Sequence, residues 1–181
     1  MKITLIGFMG SGKSTVGREL SELLGFPLLD LDRLIVEKTG KSIPEIFESL
    51  GEEGFRKIEA SVLKENLLKG GSGIIATGGG APAYGENIEV INRHSFSVFL
   101  KTPFEVIWER ISRDENRPLV KLGREGVMEL YRERLPYYEK AKLIVECEGK
   151  SPREIAREIV SKLSLNEGEG RASPEGQGWQ T

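Results

Sequence analysis

Eight residues close to the start of the chain, Gly7-Phe8-Met9-Gly10-Ser11-Gly12-Lys13-Ser14, carry the spacing GxxxxGKS. Glycines let a loop curl until successive backbone N–H groups point inward at phosphate oxygens, and a helix opening directly afterwards adds positive potential. In that setting Lys13 neutralises β- and γ-oxygens of a nucleotide and the Ser14 hydroxyl reaches Mg²⁺. Gly10, Ser11, Gly12, Lys13, Ser14 and Thr15 are therefore the expected seat of nucleotide phosphates, with Ser14 at the metal. Such a loop serves kinases, GTPase switches, transport motors and sensors alike, so other residues must decide among them.

Leu29-Asp30-Leu31-Asp32 closes a second apolar run. If that run is a strand, alternation sends Asp30 and Asp32 to one side, at the carboxyl end of a sheet where ligands bind. Two carboxylates beside a triphosphate suit one near Mg²⁺ or its waters and one on an acceptor hydroxyl; Asp32 as a plain cap of the next helix is the competing reading. Ile75-Ala76-Thr77-Gly78-Gly79-Gly80-Ala81 ends another apolar run in three glycines. Each glycine costs conformational entropy, so close backbone approach to a ligand explains them better than a flexible turn, which stays open. His94 is the single histidine and has no ligand-spaced carboxylate or cysteine, so a histidine or zinc enzyme is not expected. The single cysteine, Cys147, reads as a buried thiol.

The elements that must position these groups alternate. Lys2–Ile6 reads as a strand, Lys13–Leu24 as an amphipathic helix stopped by Gly25, and Pro27–Leu31, Gly73–Thr77, Phe96–Lys101 and Leu143–Glu146 as four more strands. Near-continuous apolar runs predict strands buried on both faces, hence a parallel sheet. Between them, Ser42/Glu45, Thr102/Glu105 and Ser151/Glu154 are capping-box patterns, with Pro103 and Pro152 placed for the first helical position. Together these predict a doubly wound α/β domain. The basic stretch 113–124 interrupts two helices and reads as a lid, and the glycine-rich 166–181 as a disordered tail.

With 181 residues and 38% hydrophobic content, one domain with one core is expected. A net charge of −2 gives no general attraction to nucleic acid or to a membrane surface, so anion binding must be local. The first apolar run is too short for a signal peptide or a span, which predicts a cytoplasmic protein, and the pattern shows no unusually apolar surface, which predicts a monomer.

GFMGSGKSTVGREL, LLDLD, GEEGFRKIE, GGGA, RPLV and ERLPYYEKA, in this order, resemble the shikimate kinase family from Met1 to about Leu165. The resemblance implies a P-loop fold of the nucleoside-monophosphate-kinase type: a five-stranded parallel sheet, a lid at about 113–124 and a substrate-binding helical region at about 32–62. It implies transfer of the γ-phosphoryl group of ATP to the 3-hydroxyl of shikimate, with Mg²⁺, in aromatic amino-acid synthesis. By the same resemblance Asp32 contacts the acceptor hydroxyls and is the candidate base, and Asp30 lies near the magnesium shell. Arg56 and Arg134 hold the substrate carboxylate, as a planar guanidinium fork suits. Gly78, Gly79 and Gly80 lie beside the substrate ring, Arg117 reaches the phosphates from the lid, and Arg110 flanks adenine. Glu59 and Phe55 fall where the family lines its pocket, and alone read as salt-bridge and core residues. An ordinary aspartate pKa of about 3.9 would leave Asp32 ionised at neutral pH. A kinase for another small anionic acceptor such as gluconate, a nucleotide kinase, and a non-enzymatic ATP switch remain as alternatives.

Overall fold

The computed structural model describes residues 1–114 and 117–169, with side chains as far as Leu165. Five strands, β1 (Lys2–Ile6), β2 (Leu28–Asp30), β3 (Gly73–Ala76), β4 (Phe96–Lys101) and β5 (Leu143–Glu146), form one parallel sheet in the order β2-β3-β1-β4-β5. The helices are α1 (Lys13–Leu24), α2 (Leu31–Thr39), α3 (Ile43–Leu68), α4 (Asn87–His94), α5 (Phe104–Ser112), α6 (Gly123–Tyr138) and α7 (Pro152–Glu169). Short 3₁₀ turns lie at Ala81–Ala83 and Pro118–Leu122. This is the five-stranded α/β arrangement the sequence predicts.

Alternation along the strands divides the core. Ile3 and Leu5 of β1, Ile74, Val98, Leu100 and Val145 pack with Val16 and Leu20 of α1 and with Ile155, Ala156 and Ile159 of α7. Ile6, Ile75 and Phe99 point the other way, into Ile35, Leu63, Ile91, Ile107 and Tyr138 of α2 through α6. Each such fully buried aliphatic side chain stabilises the fold by about 1.5–3 kcal/mol relative to an exposed one. From β1 the chain passes to the β2 side, and from β3 it crosses back to β4, so the loops after β1 and β3 diverge and leave a crevice at their carboxyl ends.

Several local expectations shift. β1, β3 and the middle of β4 are buried, but β2 and β5 are the sheet edges and half-exposed, because each has one strand neighbour; the expectation of burial on both faces fails for them. Ser42 and Ser151 cap α3 and α7, accepting from the Glu45 and Glu154 amides at 3.2 and 3.1 Å. Thr102 does not cap α5: that helix opens one residue later, with Pro103 in the cap position, and Glu105 instead pairs with Arg124. The course of α3 is broken at Gly51 (φ 69°). Helix α7 runs to Glu169, four residues into the segment expected as a tail; 170–181 lie outside the described residues, as do Glu115 and Asn116 of the expected lid. Among the described residues no helix is long and apolar enough to cross a membrane.

Candidate active site

The loop after β1 is built around left-handed glycines. Gly10 (φ 75°) and Gly12 (φ 90°) take a backbone that side chains rarely adopt, and a Cβ on Gly10 would sit 2.8 Å from Ile111 Cγ2. Gly12 then opens α1, so the first amides of that helix face the crevice. Lys13 folds back over the loop, its Nζ donating to the carbonyls of Gly7 (2.6 Å) and Phe8 (2.9 Å). Burial, then the guanidiniums of Arg134 and Arg117, lower its pKa to about 7. An ammonium so destabilised is a strong seat for phosphate oxygens, which supply the missing counter-charge. Among the described residues the buried Ser11 hydroxyl has no hydrogen-bond partner.

The two aspartates come to one side by a different route from the one expected. Strand β2 ends at Asp30, and Leu31 already begins α2 with its side chain buried. Asp30 is the helix cap: its Oδ1 accepts from the amides of Asp32 (3.0 Å) and Arg33 (3.4 Å). Asp32 therefore does not cap, and its carboxylate stays in the first turn beside the phosphate loop. Burial first, and the neighbouring Asp30 second, raise the Asp32 pKa, against the pull of Lys13 and Arg56; it is not the ordinary aspartate expected from sequence. A carboxylate held this way is a better proton acceptor than a solvated one.

Beyond β3, the glycine row lies between two cavities. The first, of about 600 Å³, runs from the 9–16 loop past Asp30, Asp32, Gly78 and Gly79 to Arg117, Arg110, Cys147, Lys150 and Pro152. The second, of about 700 Å³, is lined by Arg56, Gly80, Tyr84, Arg134 and Tyr137, with Glu52, Glu53 and Glu133. A Cβ on Gly80 would meet Arg56 Nη2 at 2.3 Å, and one on Gly79 would meet Arg134 Nη1 at 3.2 Å. Close approach is thus the reason for these two glycines; at Gly78 a Cβ would make only ordinary contacts, 3.5 Å from Glu59 Oε2 and 3.7 Å from Asp32 Oδ1.

Both arginines are held from behind. Arg56 Nη1 donates to Glu59 Oε1 at 2.8 Å and its guanidinium lies 5.2 Å from the Phe55 ring centre. Glu59 is 1% exposed, and its pKa is raised by burial more than Arg56 lowers it. Arg134 lies over the Phe8 ring at 5.6 Å. Arg117 pairs with Asp114 (3.1 Å) on the wall of the first cavity, and Arg110 Nη1 donates to the Gly10 carbonyl at 2.9 Å. All the predicted site residues thus line one or other of the two cavities. Sequence patterns missed the wall facing Arg110, formed by Cys147, Lys150 and Pro152 of the β5–α7 connection, and the Tyr138 hydroxyl, which donates to the Gly79 carbonyl at 2.5 Å. Pro152 at a helix start and a thiol pushed up to about 11 by burial looked purely structural.

The oxygen donors present suit Mg²⁺. Among the described residues no group of three or more His, Cys, Asp or Glu is disposed to hold a metal. A hydroxyl, one or two carboxylates and nucleotide phosphates are instead the oxygen set that Mg²⁺ accepts while keeping its waters. Ser14 and Asp30 both line the first cavity, and both bonds from the α2 amides fall on a single Asp30 oxygen.

Known proteins resemble this chain in sequence and in fold. The model of the shikimate kinase family matches residues 9–164. The shikimate kinase of Persephonella marina is 40% identical over 89% of this chain and 98% of its own, and that of Aquifex aeolicus 43% over 92% and 98%. Among solved structures, shikimate kinase from Acinetobacter baumannii in complex with shikimate superimposes with a TM-score of 0.84 at 40% identity, covering 92% of this chain and 94% of that one. With the phosphate loop, the paired aspartates and the glycine row all in place, the chain belongs to the shikimate kinase family.

Proposed function

We propose that the chain transfers the γ-phosphoryl group of MgATP to the 3-hydroxyl of shikimate, giving shikimate 3-phosphate and ADP, as a cytoplasmic monomer serving aromatic amino-acid synthesis. The observation that carries the reading is the place of Asp32. It lies between Lys13 on the phosphate side and Arg56 on the acceptor side, and both cations act on its carboxylate. ATP occupies the first cavity, with its phosphates on Gly10–Thr15 and its base in the slot between Arg110 and Pro152. Shikimate lies along the glycine row between the cavities, its carboxylate held by Arg56 and Arg134 of the second and its ring against Gly78, Gly79 and Gly80, with its hydroxyls toward Asp32 of the first. Two such forks suit the carboxylate of a small hydroxylated acid.

Phosphoryl transfer runs through a loose transition state, so alignment and charge neutralisation do most of the work. Asp32 orients the attacking hydroxyl and takes its proton late; its raised pKa suits that role. Lys13 and Arg117 draw off the charge that develops on the transferred group, Arg117 acting in cis from the expected lid. When bound at Ser14 and Asp30, Mg²⁺ supplies further neutralisation of the β- and γ-oxygens. Seating shikimate over Asp32 excludes water from the γ-phosphoryl group and limits wasteful hydrolysis.

The test is coupled ADP release with MgATP, with and without shikimate, in the parent chain and in Asp32→Asn. Shikimate-dependent turnover that falls by about 10²–10⁴ in the mutant is expected. Turnover that survives the mutation removes Asp32 from the proton-accepting role, and ATP binding without any response to shikimate removes the acceptor assignment.

A further inference from the structure

The acceptor-side arginine Arg134 projects from α6, whose last residue is Tyr138, one turn further along the same helix. Tyr138 is completely buried, yet its ring carries a hydroxyl into the core. That hydroxyl donates to the Gly79 carbonyl at 2.5 Å, a bond joining α6 to the centre of the glycine row across the chain. Gly79 in turn is wedged: a Cβ there would lie 3.2 Å from Arg134 Nη1, 3.4 Å from the Met9 amide nitrogen and 3.6 Å from the Gly7 carbonyl. The Tyr138 ring packs against Phe99 of β4, with ring centres 5.2 Å apart, so the helix end is fixed to the sheet as well. A buried phenol costs desolvation unless its hydrogen bond is made, and here the acceptor is a backbone oxygen of the substrate-facing loop.

We propose that Tyr138 is a positioning residue for acceptor binding: through its bond to the Gly79 carbonyl it fixes the distance between the glycine row and the Arg134 guanidinium, and so the width of the carboxylate seat. The inference rests on the reading that Arg134 binds the carboxylate of the acceptor. Tyr138 lines neither of the two cavities, and acts through Gly79 and Arg134. Burial holds its phenol far above the ordinary tyrosine range, so it remains a donor throughout the working pH range. Removing the hydroxyl while keeping the ring frees the Gly79 peptide and lets Arg134 take up orientations that no longer meet a carboxylate with both nitrogens.

The experiment compares the parent, Tyr138→Phe, Arg134→Lys and the double variant by steady-state kinetics with shikimate and MgATP, and by melting temperature with each ligand alone. In Tyr138→Phe the shikimate KM is expected to rise about five- to tenfold, with kcat and the ATP KM within about twofold of the parent. The melting shift produced by shikimate shrinks, and the shift produced by ATP does not. In the Arg134→Lys background the same change adds less than about twofold, because the arm it positions is already gone. An unchanged shikimate KM in Tyr138→Phe, or equal losses for shikimate and ATP, overturns the positioning role and leaves a packing residue. If instead Arg134→Lys leaves the shikimate KM unchanged, the carboxylate reading itself falls and the role of Tyr138 falls with it.

Discussion

Replacing Gly80 by alanine should damage acceptor binding by displacing Arg56, at a cost in stability that falls on Glu59 and not on the backbone. Gly80 has φ −87° and ψ −14°, a conformation alanine adopts without strain, so backbone geometry contributes no penalty. The added Cβ would sit 2.3 Å from Arg56 Nη2, 2.7 Å from Cζ and 2.8 Å from Nη1. Something must move, and the far end of a long side chain moves more easily than the 3₁₀ turn that follows. Arg56 would leave the bond to Glu59 and the face of Phe55 and swing away from the seat. Glu59, 1% exposed, is then left as a buried carboxylate without its partner, so folding loses about 3–5 kcal/mol, slightly offset by the smaller unfolded-state entropy of alanine. Acceptor binding loses a charge-assisted interaction of about 1.5–3 kcal/mol, which is about a 10- to 150-fold rise in shikimate KM. The comparison is with Gly78→Ala, where the new Cβ meets only ordinary contacts and a smaller effect is expected. Initial rates against shikimate at saturating MgATP, with a thermal melt of each variant, separate the two effects. An unchanged shikimate KM, whatever the melting temperature does, would refute the steric reasoning, because it would show the turn yielding instead of Arg56.

Arg117→Ala should lower kcat by about 10³ or more with a much smaller change in shikimate KM, since this arginine faces the phosphates and not the acceptor carboxylate; an unchanged kcat removes it from the transition state. Lys13 gives a proton-linkage test. Its pKa in the free protein, lowered from 10.5 to about 7, means that the buried cation costs stability in acid, and the cost is relieved as pH rises from about 7 towards 10.5. Nucleotide phosphates restore the charge, so ATP binding at about pH 8 should take up nearly one proton per site, and little at about pH 6. Calorimetry in buffers of different ionisation enthalpy reads this directly, and no uptake at the higher pH contradicts the seat described for Lys13.

How much of this was legible depended on whether a function is carried by neighbouring residues or by distant ones. The phosphate loop and the glycine row announce themselves because their chemistry lies in the backbone, and only runs of glycine permit it. The aspartate pair was found, but for a reason that did not hold. Strand alternation predicted one side for both; in the fold, a chain that leaves β2 one residue earlier uses Asp30 as the α2 cap and so presents Asp32. A one-residue boundary lies below what apolar periodicity can resolve, and the same limit accounts for Thr102, where the onset of α5 after Pro103 leaves its expected cap unused. The half-exposure of β2 and β5 was equally out of reach, since apolar runs at a sheet edge and at its centre look alike until the strand order is known.

Side chains that meet only after folding left no local trace. Arg56 of α3 and Arg134 of α6 sit in ordinary helical patterns, and family resemblance rather than spacing singled them out. Their shared purpose becomes physical at Gly79 and Gly80, where the missing Cβ atoms admit two guanidiniums, each braced by its own support: Glu59 and Phe55 for one, Phe8 for the other. Glu59 illustrates why the structural and functional readings of such a residue need not compete. It is a helix salt bridge at i,i+3, as its spacing suggests, and it is 1% exposed, where an unpaired carboxylate would be costly. The partner that spares Glu59 that cost is the same arginine proposed to hold the acceptor carboxylate, so orienting Arg56 and stabilising the core are one interaction. A site assembled in this way is specified by the helices that present it as much as by the groups that touch the substrate.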